Sequence, residues 1–409
     1  MDKLILHCDL NNFYASVECL LNPEIRDKPV AVTGDPDKRH GVILAKNEIA
    51  KRAGVKTGDV IWQAKQKEPA LLCVKPHFSL YSDYSQRVFN IYTEFTDQVE
   101  PFGPDECWLD CTGSQNLFGS GKIMADTIRR TVFERTGLTI SVGVSFNKTF
   151  AKMASDLKKP DATTVINRGN YKKLLWPLPV GDMLMVGKKT EATLNLLGIK
   201  TVGDLACADP SVLTAKLGVN GEKLRKNALG EDKDSVRVYI KSREVESVGH
   251  GMTSVRDLWK YSEVDTLISY LADKVATRLR KYGFRGYGVH LDVRKGDLTH
   301  KSRQKTLNSP ICTAKDIVEA CKNLLRDVWH EECAVRTVSI SVFTLVPLAE
   351  CGQISFFDDD KRDKNERLEN AIDKIRSKYG HDKIVLAGVV GTDFIYDKND
   401  DEDFLPFKR

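Results

Sequence analysis

Long apolar runs are absent. Nowhere does the chain string together the roughly 18 apolar residues of a membrane-crossing helix, and its start, MDKLILHCDL, has no extended apolar segment of the exporting kind. A soluble, cytoplasmic protein without a membrane partner is expected. Zinc-finger spacing is absent too, because the 10 cysteines include no CxxC or CxxH pair. Cys8, Cys107, Cys111 and Cys321 lie in apolar contexts instead, as reduced intracellular thiols do. Charge of one sign is not in large excess, with Lys+Arg at 62 against Asp+Glu at 57, so any polyanion must be met by local patches. No internal repeat stands out. At 409 residues the chain exceeds what one hydrophobic core supports, and about two to four domains are expected.

What is present concentrates in Pro101–Thr112, PFGPDECWLDCT. Two alternating runs, Thr96–Phe102 and Cys107–Cys111, flank the turn-favouring dipeptide Gly103-Pro104, which predicts a β-hairpin. Asp105 and Glu106 follow the turn. Neighbouring strand residues point to opposite faces, so both can reach one ion only near a twisted hairpin tip. Alone, such a pair reads as a solvated turn. A third carboxylate, Asp9, changes that reading. It ends the apolar run Leu4–Leu10, expected to be a central buried strand, and a buried carboxylate is costly unless paired or metal-bound.

DLNNFYASVE (from Asp9) and PFGPDECWLD together resemble the paired signature of the Y-family (translesion) DNA polymerases, especially the bacterial DNA polymerase IV-like branch. The resemblance covers most of the chain. It implies an α+β multidomain right hand: a ferredoxin-like palm (1–21 and 76–168), small fingers (22–75), a helix-hairpin-helix thumb (169–232), a tether (233–243), a β-α-β-β-α-β little finger (244–349) and a C-terminal tail (350–409). It further implies low-fidelity, lesion-bypass addition of dNTPs to a primer on template DNA, by a monomer. Two Mg²⁺ ions would be held by Asp9, Asp105 and Glu106, with the Leu10 carbonyl as a further oxygen ligand. Carboxylates suit Mg²⁺. Asn12, Phe13 and Tyr14 would line the nucleotide site, Tyr14 as a steric gate under the sugar; without the family, Tyr14 reads as a packed helix aromatic. Nothing in the chain resembles a proofreading nuclease. Two other readings compete: a nucleotide cyclase-like palm enzyme, which needs no thumb or basic last domain, and a non-catalytic DNA-binding scaffold, which needs no carboxylate triad.

Further along, Asn47–Ala53 reads as a helix with a glycine stop at Gly54. The family there has a Tyr and an Arg that grip the triphosphate. This chain has Glu48 and Lys51, of which only Lys51 joins the expected binding set; the Glu48 side chain is expected to turn away from the phosphates. Phe78–Phe95 carries a helical stripe that belongs to the core. Ser114–Thr136 is expected as a helix and Leu138–Ser145 as a strand. A helix capped by Asn147 should run to Leu157, before Lys158-Lys159-Pro160. Lys159 would contact the triphosphate by resemblance; by itself it is an ordinary helix-end lysine.

Val186-Gly187-Lys188-Lys189-Thr190 and, more weakly, Leu217-Gly218-Val219-Asn220-Gly221-Glu222-Lys223 resemble helix-hairpin-helix turns, where exposed amides hold a DNA phosphate, Gly221 among the expected contacts. Each alone is a common interhelical turn. Tyr287, Val289, Leu291 and Val293 alternate with His290, Asp292 and Arg294, giving one apolar and one wet sheet face. Lys301, Arg303 and Lys305 are expected on the wet face, either as a solvated edge or against DNA phosphates. Gln353-Ile354-Ser355-Phe356-Phe357 resembles the bacterial sliding-clamp-binding motif, implying a clamp partner. A helix follows with Leu368, Ile372, Ile375 and Tyr379 on one face, and the acidic last dozen residues should be mobile.

Overall fold

The computed structural model describes residues 2–35, 41–238, 245–331, 333–348, 360–380 and 383–395. Two units result, residues 2–34 with 42–238 and residues 245–395. The centre of the first is a five-stranded sheet in the order β5-β6-β1-β7-β8. Its strands are β1 (Ile5–Leu10), β5 (Val99–Pro101), β6 (Glu106–Asp110), β7 (Ile140–Ser145) and β8 (Thr163–Val165). Every residue of β1 is buried, as its apolar run requires, because strands pair with it on both edges and helices cover both faces. Leu6, Cys8 and Leu10 face a core shared with α1 (Phe13–Leu21), α4 (Phe78–Tyr92) and α6 (Gly121–Thr136). His7 and Asp9, on the alternate positions, face α7 (Lys148–Leu157), which lies on the opposite side across β1 and β7. Asn147 caps α7 as expected, its side chain accepting from Phe150 N at 2.7 Å.

Gly143 sets how near α7 can lie. A Cβ there would sit 1.9 Å from the Ala151 carbonyl oxygen, so only glycine lets the helix backbone rest on β7.

A three-stranded sheet, β2 (Val30–Thr33), β3 (Ile43–Lys46) and β4 (Leu72–Val74), carries the short helices α2 (Glu48–Arg52) and α3 (Ile61–Lys67). The helix expected over Ser114–Thr136 is broken. A single turn, α5 (Gln115–Phe118), stops at Gly119, whose φ of 85° no helix sustains, and α6 restarts after Ser120. Five small helices follow: α8 (Tyr171–Leu175), α9 (Lys188–Leu196), α10 (Val202–Cys207), α11 (Pro210–Leu217) and α12 (Val219–Ala228). They share a core with Phe150, Met153 and Ala154 of α7.

The second unit is a four-stranded antiparallel sheet, β11-β10-β12-β9, covered on one face by α13 (Tyr261–Lys281) and α14 (Ala314–Val328). Its strands are β9 (Ser247–Leu258), β10 (Phe284–Lys295), β11 (His300–Ile311) and β12 (Val335–Pro347), the β-α-β-β-α-β order read from the sequence. Helix α15 (Asp360–Tyr379) docks on this unit with its charged side inward. Arg280 of α13, 5% exposed, binds Glu369 and Asp373; Arg376, 6% exposed, binds Asp273 at 2.9 Å. Leu368, Ile375 and Tyr379 therefore face outward and stay exposed. Phe394, further on, is buried in the unit's core.

Candidate active site

Cross-strand pairing assembles the acidic site. In the β1–β6 ladder Asp9 lies opposite Glu106, and the Leu10 amide donates to the Asp105 carbonyl at 2.9 Å. Ligand atoms of His7, Asp9 and Glu106 all fall within 4.8 Å of one another. Asp105, at the hairpin turn, is not in that group, yet it feels it. Burial, then the charges of Asp9 and Glu106, push its carboxyl up to about 6. Glu106 goes the other way. Burial would raise it, but the hydrogen bond from His7 and the charge of Lys152 outweigh burial and hold it down at about 2.

Two lysines of the α7 region neutralise the cluster. Lys152 Nζ lies 3.0 Å from Asp9 Oδ2, 3.0 Å from Glu106 Oε1 and 3.4 Å from Asp156 Oδ2. Lys159 Nζ lies 2.6 Å from Asp9 Oδ2 and 2.7 Å from Asp156 Oδ1. His7 bridges Ser155 Oγ (Nδ1, 2.9 Å) and Glu106 Oε2 (Nε2, 3.3 Å), with Trp108 edge-on to its ring. The buried atoms His7 Nε2 and Glu106 Oε2 have no other hydrogen-bond partner among the described residues. A divalent cation fits the chemistry of this donor set, in which two carboxylates and an imidazole bring ligand atoms together.

Lys152, His7 and Asp156 were not singled out from the sequence. Their signals were there: His7 is two residues before Asp9 on one strand face, and Lys152, Asp156 and Lys159 recur at helical spacing.

The remaining expected residues are placed unevenly. Phe13 is buried in the core, and Tyr14 is half-buried, stacked on Tyr81 at 4.2 Å and edge-on to Phe78. Burial, then the Asp105 charge, raises its hydroxyl to about 12. Glu48 is tied to two neighbours: its Oε1 accepts from Asn12 Nδ2 at 3.0 Å and Lys51 Nζ at 3.2 Å. Asn12 reaches it from a left-handed backbone (φ 52°), a conformation asparagine tolerates. Gly187, Lys188 and Lys189 open α9 and are exposed.

Two expectations are corrected. Of the two glycines in Leu217–Lys223, Gly221 offers no exposed turn amide. It lies buried inside α12, its amide bonded to the Gly218 carbonyl and its Cα against Leu213; the turn belongs to Gly218, at φ 63°. Lys301, Arg303 and Lys305 share one side of β11, but the register sets them opposite Val293, Leu291 and Val289, on the apolar side of the sheet. They stay exposed because β11 is the edge strand. Ser302 and Gln304, with Asp292 and His290 opposite them, take the wet face instead. Gln353, Ile354, Ser355, Phe356 and Phe357 lie outside the described residues.

A carboxylate cluster at the middle of a mixed five-stranded sheet, with helices packed on both its faces, defines a polymerase of the right-hand type. Comparison with known proteins narrows this. The impB/mucB/samB family matches residues 8–156, and its C-terminal domain matches residues 245–356. The chain is 43% identical to DNA polymerase IV of Acetivibrio thermocellus, over 93% of this chain and 96% of that one. It is 37% identical to DNA polymerase IV of Moorella thermoacetica, over 95% and 97%. A solved Y-family DNA polymerase chimera superposes with a TM-score of 0.75 at 23% identity, covering 84% of this chain and 99% of the other. The chain therefore belongs to the Y family of DNA polymerases, in its DNA polymerase IV branch. It is a template-directed translesion polymerase, not a cyclase-like enzyme or an inert scaffold.

Proposed function

We propose that this chain extends a primer 3′-end by two-metal phosphoryl transfer, with Asp9, Asp105, Glu106 and the Leu10 carbonyl as ligands of two Mg²⁺ ions. The observation that carries this reading is the meeting of Asp9 and Glu106, from distant parts of the chain, across one ladder pair. When bound, the ions would lower the pKa of the primer hydroxyl and balance charge on the triphosphate and leaving pyrophosphate. The protein's own groups would do the rest. Lys51 and Lys159 would hold phosphates, Asn12 and Phe13 would line the nucleotide pocket, and the Tyr14 ring would lie under the sugar and collide with a 2′-hydroxyl. The proposed division is palm (1–21, 76–168), fingers (22–75), thumb (169–232), tether (233–243), little finger (244–349) and tail (350–409).

DNA would be held through its backbone. The exposed start of α9, with Gly187, Lys188 and Lys189, suits a phosphate. Lys301, Arg303 and Lys305 offer charge from the rim of the last sheet rather than from its wet face. A sliding clamp would take Gln353–Phe357, with Phe356 and Phe357 as anchors. The protein would act as a cytoplasmic monomer.

The deciding experiment is primer extension with Mg²⁺ and dNTPs. Asp105→Ala and Glu106→Ala should each lose about a thousandfold or more in extension rate, since a metal supplies several kcal/mol of transition-state stabilisation. DNA binding should be largely kept. Near-normal extension by both variants sinks the ligand assignment. Tyr14→Ala should incorporate ATP where the parent selects dATP; unchanged selectivity would leave Tyr14 as packing only.

A further inference from the structure

Lys152 stands where a metal would have to stand. Its ammonium is equidistant, at 3.0 Å, from one oxygen of Asp9 and one of Glu106. These are the two carboxylates that the β1–β6 register brings together. A Mg²⁺ ion bound by both would approach the same oxygens to about 2.0–2.1 Å. Two cations cannot share that gap. The lysine is mostly shielded from water, 14% exposed, so its charge is screened less than a surface lysine's would be.

An alternative seat lies within reach. Asp156, one helical turn further along α7 and 48% exposed, holds Lys159 through Oδ1 at 2.7 Å and presents Oδ2 to the Lys152 ammonium at 3.4 Å. Lysine suits such a move, being a compact point charge on a flexible stem; arginine's planar fork would commit both its edges at once.

Building on the metal-ligand reading above, we propose that Lys152 is the resident counter-ion of the Asp9–Glu106 pair in the metal-free enzyme, and that a divalent ion enters the pair only by displacing the Lys152 ammonium toward Asp156. Lys152 is then a positioning residue that sets metal affinity. Together with Lys159, 2.6 Å from Asp9 Oδ2, it balances the two carboxylates while the site waits, and as the one cation that bridges them it makes the site a weak metal binder until another source of negative charge arrives.

The test measures Mn²⁺ binding to the full-length protein, without nucleotide, by the loss of the free-ion electron paramagnetic resonance signal. Lys152→Met should bind Mn²⁺ about tenfold tighter than the parent. Lys158→Met removes the same charge from an exposed neighbour that holds no carboxylate of the site, and should stay within about twofold. Asp156→Asn, at a position 48% exposed, should weaken Mn²⁺ binding several-fold, and most of that effect should vanish in the Lys152→Met background. Equal gains from Lys152→Met and Lys158→Met overturn the proposal, as does an Asp156→Asn effect that simply adds to that of Lys152→Met. Failure of the ligand reading shows differently. If Glu106→Gln in the Lys152→Met background still binds Mn²⁺ as tightly, the ion is not held by this pair at all.

Discussion

Two clusters of buried charge, one in each unit, are built with different cations. In the second unit Arg280 holds Glu369 and Asp373, while Arg376 holds Asp273. In the first, Lys152 and Lys159 hold Asp9, Glu106 and Asp156. The arginine cluster is a fastening. Arg280 grips Asp373 with Nε and Nη2 together and gives Nη1 to Glu369 and the Cys312 carbonyl, while Glu369 also accepts the Ala314 amide at the start of α14. Every group there is committed. The lysine cluster is uncommitted by comparison: each ammonium divides itself among carboxylates, two of which are the proposed metal ligands. Fixed forks close a structure, and movable point charges hold a place open.

The comparison breaks most visibly at Arg280. Arg280→Met should cost about 3–5 kcal/mol of stability in the second unit, because it leaves Glu369 and Asp373 buried without their cation. The expected readout is a lowered denaturant midpoint, with unchanged extension per folded molecule at low temperature. A loss within about 1 kcal/mol would show that α15 docks without its arginine.

A middle-sized effect sharpens the other side. Asp105 is held near 6 against an ordinary 3.8, so the folded state binds its proton more tightly than the unfolded chain does. That proton's contribution is fully present below pH 3.8 and is lost as pH rises through about 6. Asp105→Asn should therefore stabilise the metal-free protein at pH 7.5 by about 2–3 kcal/mol, at 1.36 kcal/mol per pH unit, and by much less at pH 4. Urea unfolding in a chelator at the two pH values checks the sign. A variant no more stable at pH 7.5 than the parent would mean that the acidic cluster carries no strain of its own. Glu106, held down at about 2, runs opposite: its contribution is present above pH 4.5 and fades only as pH falls toward 2.

The smallest effect belongs to an exposed lysine–carboxylate pair, Lys51–Glu48, with Lys51 at 45% exposure. Glu48→Gln retains an acceptor for Asn12 but removes a negative charge near the expected triphosphate. About 1 kcal/mol of repulsion is at stake for exposed charges. The dNTP KM should fall several-fold with little change in kcat. A raised KM would instead make Glu48 the residue that aims Lys51.

Much of this was legible in the chain. Local signals survive folding: the apolar run of β1, the Gly103-Pro104 hairpin, the Asn147 cap and the alternation of β10 all appear where expected. What escaped depends on which distant groups meet. Lys152 looks like any helix lysine until β1 arrives beneath it. Strand β11 follows a turn in which Lys295 N bonds Thr299 O and Leu298 takes φ 69°; that geometry decides which side its lysines share. For α15, periodicity found the apolar stripe, but the buried guanidinium of Arg280 demanded carboxylates and turned the stripe outward. Gly221 and Gly218 are alike as letters and differ only in backbone angle.

Gly143 gives the acidic cluster its tolerance. With 1.9 Å between a would-be methyl carbon and the Ala151 oxygen, one added carbon would lift α7 from the sheet. The lift would carry Lys152, Ser155 and Lys159 away from Asp9 and His7 together, with every charged group still present in the sequence. The cluster can therefore be dispersed by volume alone, at a residue that bears no charge. A catalogue of its sensitive positions drawn up from chemistry would leave out the one that works as a spacer gauge.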